Sequence, residues 1–177
     1  MNSSAVHIRI SGARVEEIRR LAGIAYDAWC ADILPLVGDQ PGLRMREYAR
    51  FRQFVDQNIR RIIVAREGER PVGWIGRGKS PNYVAFLFVA PEVQRQGIGS
   101  LLLSRLESLA MLEGQTHLWL DTFAELKSAT GFYRRHGYRP ILPQNRRAKP
   151  PTDASSVRLA KPLTILQNTP IRSGKKT

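Results

Sequence analysis

The chain holds one cysteine, Cys30, among its 177 residues. An internal disulfide is excluded, and a reducing, cytoplasmic setting is the expectation. Long hydrophobic runs are missing as well. The longest, Val84 to Pro91, falls far short of the roughly 20 apolar residues that cross a bilayer, so no membrane partner is expected. Histidine is scarce: His7, His117 and His136 are scattered. With no second cysteine, they form no recognisable ligand set, and no metal is expected. The opening MNSSAVHIRI has no charged segment followed by an apolar one, so it does not read as a signal peptide. A Gly-x-Ser-x-Gly nucleophile elbow is also lacking.

Acidic residues run out toward the C-terminus. From Arg134 to Thr177 there are 11 Lys/Arg and a single acid, Asp153, whereas the preceding residues hold 17 Lys/Arg against 14 Asp/Glu. The net charge of +13 is therefore concentrated in the last quarter. A basic stretch attracts polyanions through its field and by counterion release. No aromatic residue interleaves the charges after Tyr138, as a base-stacking surface would require. A solvated basic face with a disordered tail is the plainer reading, and a nucleic-acid partner is not expected.

What is present suits a globular α/β protein. Hydrophobic residues make up 42% and charged ones 24%, both ordinary for such a domain. The length fits one domain, residues 1–165, followed by a basic tail, 166–177, without periodicity. AVHIRI alternates as an opening strand does. Val15, Ile18, Leu21, Ala22, Ile24 and Ala25 recur near helical spacing up to Trp29. DILPLVGDQPGLR is punctuated by Pro35, Gly38, Pro41 and Gly42 and reads as a loop. A second helix is expected over Met45–Asn58, then strands in RRIIVARE and VGWIGRG. NYVAFLFVA reads as a strand covered on both faces. A helix follows from Gly97 to about Glu113, with Ile98, Leu102, Leu106 and Leu109 on one side. THLWLDT reads as a strand and LKSATGFYRRH as a helix, with Gly137 as its left-handed C-cap. YRPIL and SVRLAKPL make a last strand pair across a Pro-rich basic loop, Pro143–Pro151. No repeat is present, and the order fits a mixed sheet with helices on both faces.

The stretch VAPEVQRQGIGSLLL carries the chemistry. Gly97 and Gly99 stand between a strand and the first turn of a helix, where unpaired N–H groups and the positive end of the macrodipole meet. Glycine lets an anion approach those groups, and Arg95 adds charge. Leu102 stands where a dinucleotide fingerprint needs a third glycine, and no Gly-Lys-Ser/Thr follows as in a P-loop.

This stretch closely resembles the acetyl-CoA-binding motif of the GNAT N-acetyltransferases, a pattern of Gln/Arg-x-x-Gly-x-Gly/Ala after a strand and a proline. Gln94, Arg95, Gln96, Gly97, Ile98 and Gly99 fill it. The family's second motif is a helix with Phe-Tyr that ends at glycine plus an aromatic. Phe132, Tyr133, Gly137 and Tyr138 supply it. The resemblance spans most of residues 5–163 and is sharpest over 84–140.

It implies a mixed, mostly antiparallel sheet of about six or seven strands, splayed between two central parallel strands. It implies acetyl-CoA as acetyl donor and a primary amine as acceptor, with direct transfer and no metal. Leu87, Phe88 and Val89 would pair through their main chain with the pantetheine arm. The N–H groups from Gln94 to Ser100 would hold the pyrophosphate. Tyr133 would protonate the departing thiolate. Two departures stand out. Leu126 occupies a position where many members have asparagine, and NYVAFLFVA lacks the glutamate that often serves as base. Asp121, on the following strand, is the nearest candidate base; water or an already neutral amine are the alternatives. A non-catalytic CoA-binding module that contacts an acidic partner or nucleic acid through its basic end is the competing reading. The acceptor is expected to be set by residues 25–54, where Tyr26, Asp27, Trp29, Asp32 and Asp39 lie. Oligomeric state is open between monomer and homodimer.

Overall fold

The computed structural model describes residues 7–141 and 156–163. The Pro-rich basic loop, the tail and the first two residues of AVHIRI lie outside them. The strands are β1 (Ile8–Gly12), β2 (Ile62–Glu67), β3 (Arg70–Arg77), β4 (Val84–Val89), β5 (His117–Phe123), β6 (Arg139–Ile141) and β7 (Ser156–Pro162). The helices are α1 (Ile18–Asp32), α2 (Leu34–Val37), α3 (Leu43–Asn58), α4 (Ile98–Leu112) and α5 (Lys127–Arg135).

Strand order is β1-β2-β3-β4 in one sheet and β5-β7-β6 in the other, with every neighbour antiparallel. One parallel bridge, Tyr83 to Trp119, joins β4 to β5. The expected mixed sheet of about seven strands, splayed between two parallel ones, is therefore what the chain forms.

Strand alternation builds two cores. Ile63 and Ala65 of β2 join Leu102, Leu103 and Leu106 of α4 on one face. Ile62 and Val64 join Leu21, Ile24 and Phe51 of α1 and α3 on the other. β2 is apolar almost throughout because both its faces are covered. Trp74 of β3 is fully buried, and its indole N–H donates to the Leu21 carbonyl at 2.8 Å, so the largest core side chain leaves no polar atom unpaired.

Two expectations need correction. DILPLVGDQPGLR contains the one-turn helix α2, because Pro35 suits a first helical turn and Gly38, at φ 73°, ends it. β4, expected to be a buried strand, has both faces covered, with Phe86 and Phe88 packed on one core and Leu87 and Val89 on the other, but it is only half-buried from Ala85 to Val89. It is the edge of its sheet, and its second flank faces a cleft rather than a neighbouring strand.

One buried ion pair ties the N-terminal strand to the sheet. The Arg66 guanidinium is fully buried and donates to Glu17 from Nε at 2.8 Å and Nη2 at 2.6 Å, and to the Gly12 carbonyl at 3.0 Å. Burial alone would raise the Glu17 carboxyl. The hydrogen bonds from the Arg66 side chain and the Arg14 main chain outweigh it and hold the group below the usual carboxylate range. Glu17→Ala leaves the Arg66 charge buried without its partner and should cost about 3–5 kcal/mol, read as a lower urea midpoint. Because the folded-state value is depressed, the wild-type contribution is present above about pH 4.3 and is lost as pH falls through the folded value. The stability difference between the two proteins should shrink accordingly in acid, and a constant difference would remove the ion pair as its source.

Candidate active-site cleft

Trp119 and Tyr83 pin the two sheets together at one point. The Trp119 main-chain N–H donates to the Asn82 carbonyl at 3.0 Å, and the two rings sit 4.2 Å apart. From there β4 and β5 run on without pairing to each other. A cleft of about 1820 Å³ follows the divergence. Leu87, Phe88 and Val89 line it, as do Trp119 and Asp121 on the opposite strand. β3 pairs with one edge of β4, in the register Ile75–Leu87, Trp74–Phe88 and Gly73–Val89. The other edge presents main-chain N–H and C=O groups to the cleft, where an extended ligand can pair as an added strand does.

At the far end of β4 the chain turns through Pro91–Val93 and reaches the glycine loop. The Gln94 side-chain amide donates to the Val89 carbonyl at 3.2 Å and to Asp32 at 3.3 Å, which holds the loop to both β4 and α1. Arg95 and Gly97 both have left-handed backbones, at φ 64° and 82°. Such a kink turns successive N–H groups toward one concavity. Gly97 is the N-cap of α4 and has no side chain with which to cap it. The first helical bond runs from the Leu101 N–H to the Gly97 carbonyl, so the N–H groups of Ile98, Gly99 and Ser100 lie ahead of the ladder. They lie at the positive end of a 15-residue helix, a ready anion site.

The two glycines serve differently. Nothing lies within 4 Å of where a Gly97 Cβ would project, but its backbone needs glycine. A Cβ on Gly99 would meet the Phe132 ring at 3.4 Å, an ordinary contact, so Gly99 marks where α5 lies against α4. Ile98 is buried in the core and can offer only its main chain. Gln96 is exposed and, unlike the other residues of the expected phosphate loop, does not line the cleft.

His136 ends α5. Its Nδ1 lies 2.8 Å from the Phe132 carbonyl and its Nε2 lies 2.9 Å from Ser100 Oγ. A carbonyl only accepts, so Nδ1 donates to Phe132, and Nε2 shares the second hydrogen bond with the Ser100 hydroxyl. The ring thereby links α5 to the first turn of α4. Gly137, at φ 89°, is the left-handed residue expected after α5.

Tyr133, one turn earlier on α5, lines the cleft and is buried. Among the described residues its hydroxyl has no hydrogen-bond partner. Burial pushes the phenol above its usual range, and coupling to the neighbouring Tyr83 phenol adds to the effect. The group therefore keeps its proton and is a donor. Leu126, where the resemblance led to an expected asparagine, also lines the cleft.

Asp121 lies on β5 at the cleft, but not as a free carboxylate. Arg158 of β7 donates to both its oxygens, from Nε at 2.7 Å and Nη2 at 2.8 Å. The Arg158 guanidinium also stacks 4.3 Å over Trp119. Sequence reasoning missed Arg158, whose register partner on β5 is Asp121. It also missed Glu47 and Arg50 of α3, one turn apart, which line the cleft and pair with each other. An i, i+3 Glu–Arg pair in a helix beside aromatics was the available signal. Of the acceptor-side residues expected from the sequence, Trp29 and Asp32 line the cleft; Tyr26, Asp27 and Asp39 do not. Among the described residues no group of three or more His, Cys, Asp or Glu could hold a metal ion, and no helix is long and apolar enough to cross a membrane.

Comparison with known proteins agrees with this geometry. The model of the Acetyltransferase (GNAT) family matches residues 26–138. PaiA N-acetyltransferase from Thermoplasma acidophilum, solved with coenzyme A, superposes with a TM-score of 0.75 at 17% identity, over 88% of this chain and 99% of that one. YjaB from Escherichia coli, in its apo form, gives 0.68 at 23%, over 87% and 97%. The ribosomal-protein-S18-alanine N-acetyltransferase of Escherichia coli gives 0.64 at 16%, over 92% and 98%. No curated protein matches the chain by sequence. A family match that spans both the glycine loop and the Tyr133 helix, on a sheet splayed between β4 and β5, makes this chain a member of the GNAT acetyltransferase family, whose activity is acetyl transfer from acetyl-CoA.

Proposed function

We propose that the protein transfers the acetyl group of acetyl-CoA directly to a primary amine of a small molecule or peptide. The supporting observation is a single cleft with an uncapped helix N-terminus at one end and the Tyr133 hydroxyl along its wall. The pyrophosphate binds the N–H groups at the start of α4, beside Arg95 and Ser100. The pantetheine arm runs along the free edge of β4 and pairs with Leu87 to Val89. The thioester then lies in the gap between β4 and β5. The fold is shared with PaiA N-acetyltransferase, whose structure contains coenzyme A.

The amine nitrogen attacks the thioester carbonyl and forms the C–N bond. The C–S bond breaks, and the thiolate takes the Tyr133 proton. The amine must shed a proton of its own. Asp121 would have to surrender a bidentate pair with Arg158 to accept it. An amine that arrives neutral gives up one proton after attack; passing it through water, from which the Tyr133 hydroxyl is restored, leaves that pair intact, and Asp121 then anchors Arg158. The alternative of a non-catalytic module acting through the basic C-terminal region falls mostly on residues outside those described.

Two measurements test this reading. Acetyl-CoA should raise the wild-type melting temperature by binding only the folded state. Gly97→Val forces a β-branched residue into a left-handed backbone and places methyls beside the anion site. It should remain folded and lose the shift; a full shift would move the phosphates elsewhere.

Tyr133→Phe keeps the ring and removes the proton donor. Its kcat should fall about 10²–10⁴-fold with little change in acetyl-CoA affinity. Wild-type kcat should rise with pH as the amine becomes neutral. Since burial raises the phenol, no falling limb from Tyr133 should appear below about pH 10. Near wild-type kcat in the variant, with chemistry rate-limiting, would make Tyr133 a packing residue.

A further inference from the structure

The acceptor end of the cleft carries more positive than negative charge. Arg46, Arg50, Lys79 and Arg158 line it, against Asp32, Glu47 and Asp121. Asp32 accepts from the Gln94 amide at the glycine loop, and neither of the other two carboxylates is free to receive a cation on its own. Arg50 holds Glu47 through Nε, 2.9 Å from Oε2, and through Nη2. Arg158 holds both oxygens of Asp121. Each guanidinium thus turns Nε and Nη2 toward its carboxylate, and its Nη1 has no hydrogen-bond partner among the described residues.

Both guanidiniums are also fixed by aromatic rings. Arg158 lies 4.3 Å over Trp119, and Arg50 lies 5.3 Å from the centre of the Phe86 ring. Both act by charge on the Tyr83 phenol, at the head of the splay. Two oriented guanidiniums with an open nitrogen each suit a carboxylate or a phosphate. A polyamine would meet a wall of net positive charge on which Glu47 and Asp121 are already paired.

Resting on the acetyl-transfer reading above, we propose that the acceptor is an amine that also bears an anionic group, and that Arg50 and Arg158 bind that group through Nη1. The acidic group is thereby held at the α3 and β7 side of the cleft, and the amine is left to face the gap between β4 and β5.

The test is a set of initial rates with acetyl-CoA over matched acceptors. Each α-amino acid is compared with its carboxamide and its decarboxylated amine, and phosphoethanolamine with ethanolamine, which separates carboxylate from phosphate. Spermidine serves as the cationic control. The acidic member of the preferred set should have a kcat/KM about 10- to 100-fold above its neutral partner, mostly through KM, the usual worth of a charged hydrogen bond. In the double variant Arg50→Met/Arg158→Met that ratio should fall toward one. Arg158→Lys keeps the charge beside Asp121 and should retain part of the ratio. The acetyl-CoA melting shift, measured in each variant, confirms a folded, cofactor-binding protein. Preference for spermidine or for the neutral partners overturns the proposal. So does an unchanged ratio in the double variant, or no transfer to any acidic amine while acetyl-CoA binds. Absence of an acetyl-CoA shift in the wild type would instead overturn the acetyl-transfer reading, and this proposal with it.

Discussion

The architecture depends on two parallel strands being joined at one point and parted beyond it. Tyr83 and Trp119 make the bridge, and their stacked rings exclude water from it. What keeps the remainder from closing is the packing on either side. β4 is held by β3 and by Phe51 and Phe54 of α3, which meet Phe86 edge-on. β5 is held along its whole length by β7. Each strand thus satisfies one edge inside its own sheet, and neither sheet can shift toward the other without breaking its core. The unpaired edge of β4 is an unmet hydrogen-bonding demand placed where an extended ligand can meet it.

The start of α4 extends the same logic from strand to helix. The helix is anchored by Ile98, Leu102, Leu103 and Leu106, all buried in the core shared with β2 and β3. Its N–H groups are therefore fixed in space before any ligand arrives, and the macrodipole points into the cleft without reorganisation. Gln94 fixes the approach to the loop, and His136 fixes Ser100. Phe132 packs over Gly99, so α5 lies against the first turn of α4 and Tyr133 lines the same cleft. The start of α4 and the Tyr133 ring are thus held at one distance by a helix-helix contact.

Much of this was legible in the sequence because it is written in local patterns. Period-two alternation located β1, and the glycine loop and the Phe-Tyr helix carried the family resemblance. β4 misled in its burial, because an apolar run looks the same whether its second edge meets a strand or a cleft. α2 was hidden by Pro35 and Gly38, which break long helices and equally well bracket a single turn. The acceptor wall was not legible. Arg158 lies 37 residues from Asp121, and only the β5–β7 register brings them together. Glu47 and Arg50 read as an ordinary solvated pair until α3 is laid against β4, where Glu47 becomes buried.

The paired guanidiniums also bear on how such a wall can be specific. A lone buried arginine would be costly to desolvate, and any anion could relieve it. Arg158, mostly buried, has met that cost with Asp121, and Arg50, half-exposed beside Glu47, incurs little of it, so an incoming anion gains little from bare charge. What remains is direction: each guanidinium is held by a carboxylate on one edge and an aromatic ring on one face. Direction selects by shape, and it rejects a misplaced anion that charge alone would accept. The same pairing explains why the two acids on this wall are poor bases. Their protonation would release the arginines from the geometry that makes the wall useful, so in the proposed reaction proton removal from the amine is better left to solvent, with Tyr133 as the proposed donor on the thiolate side.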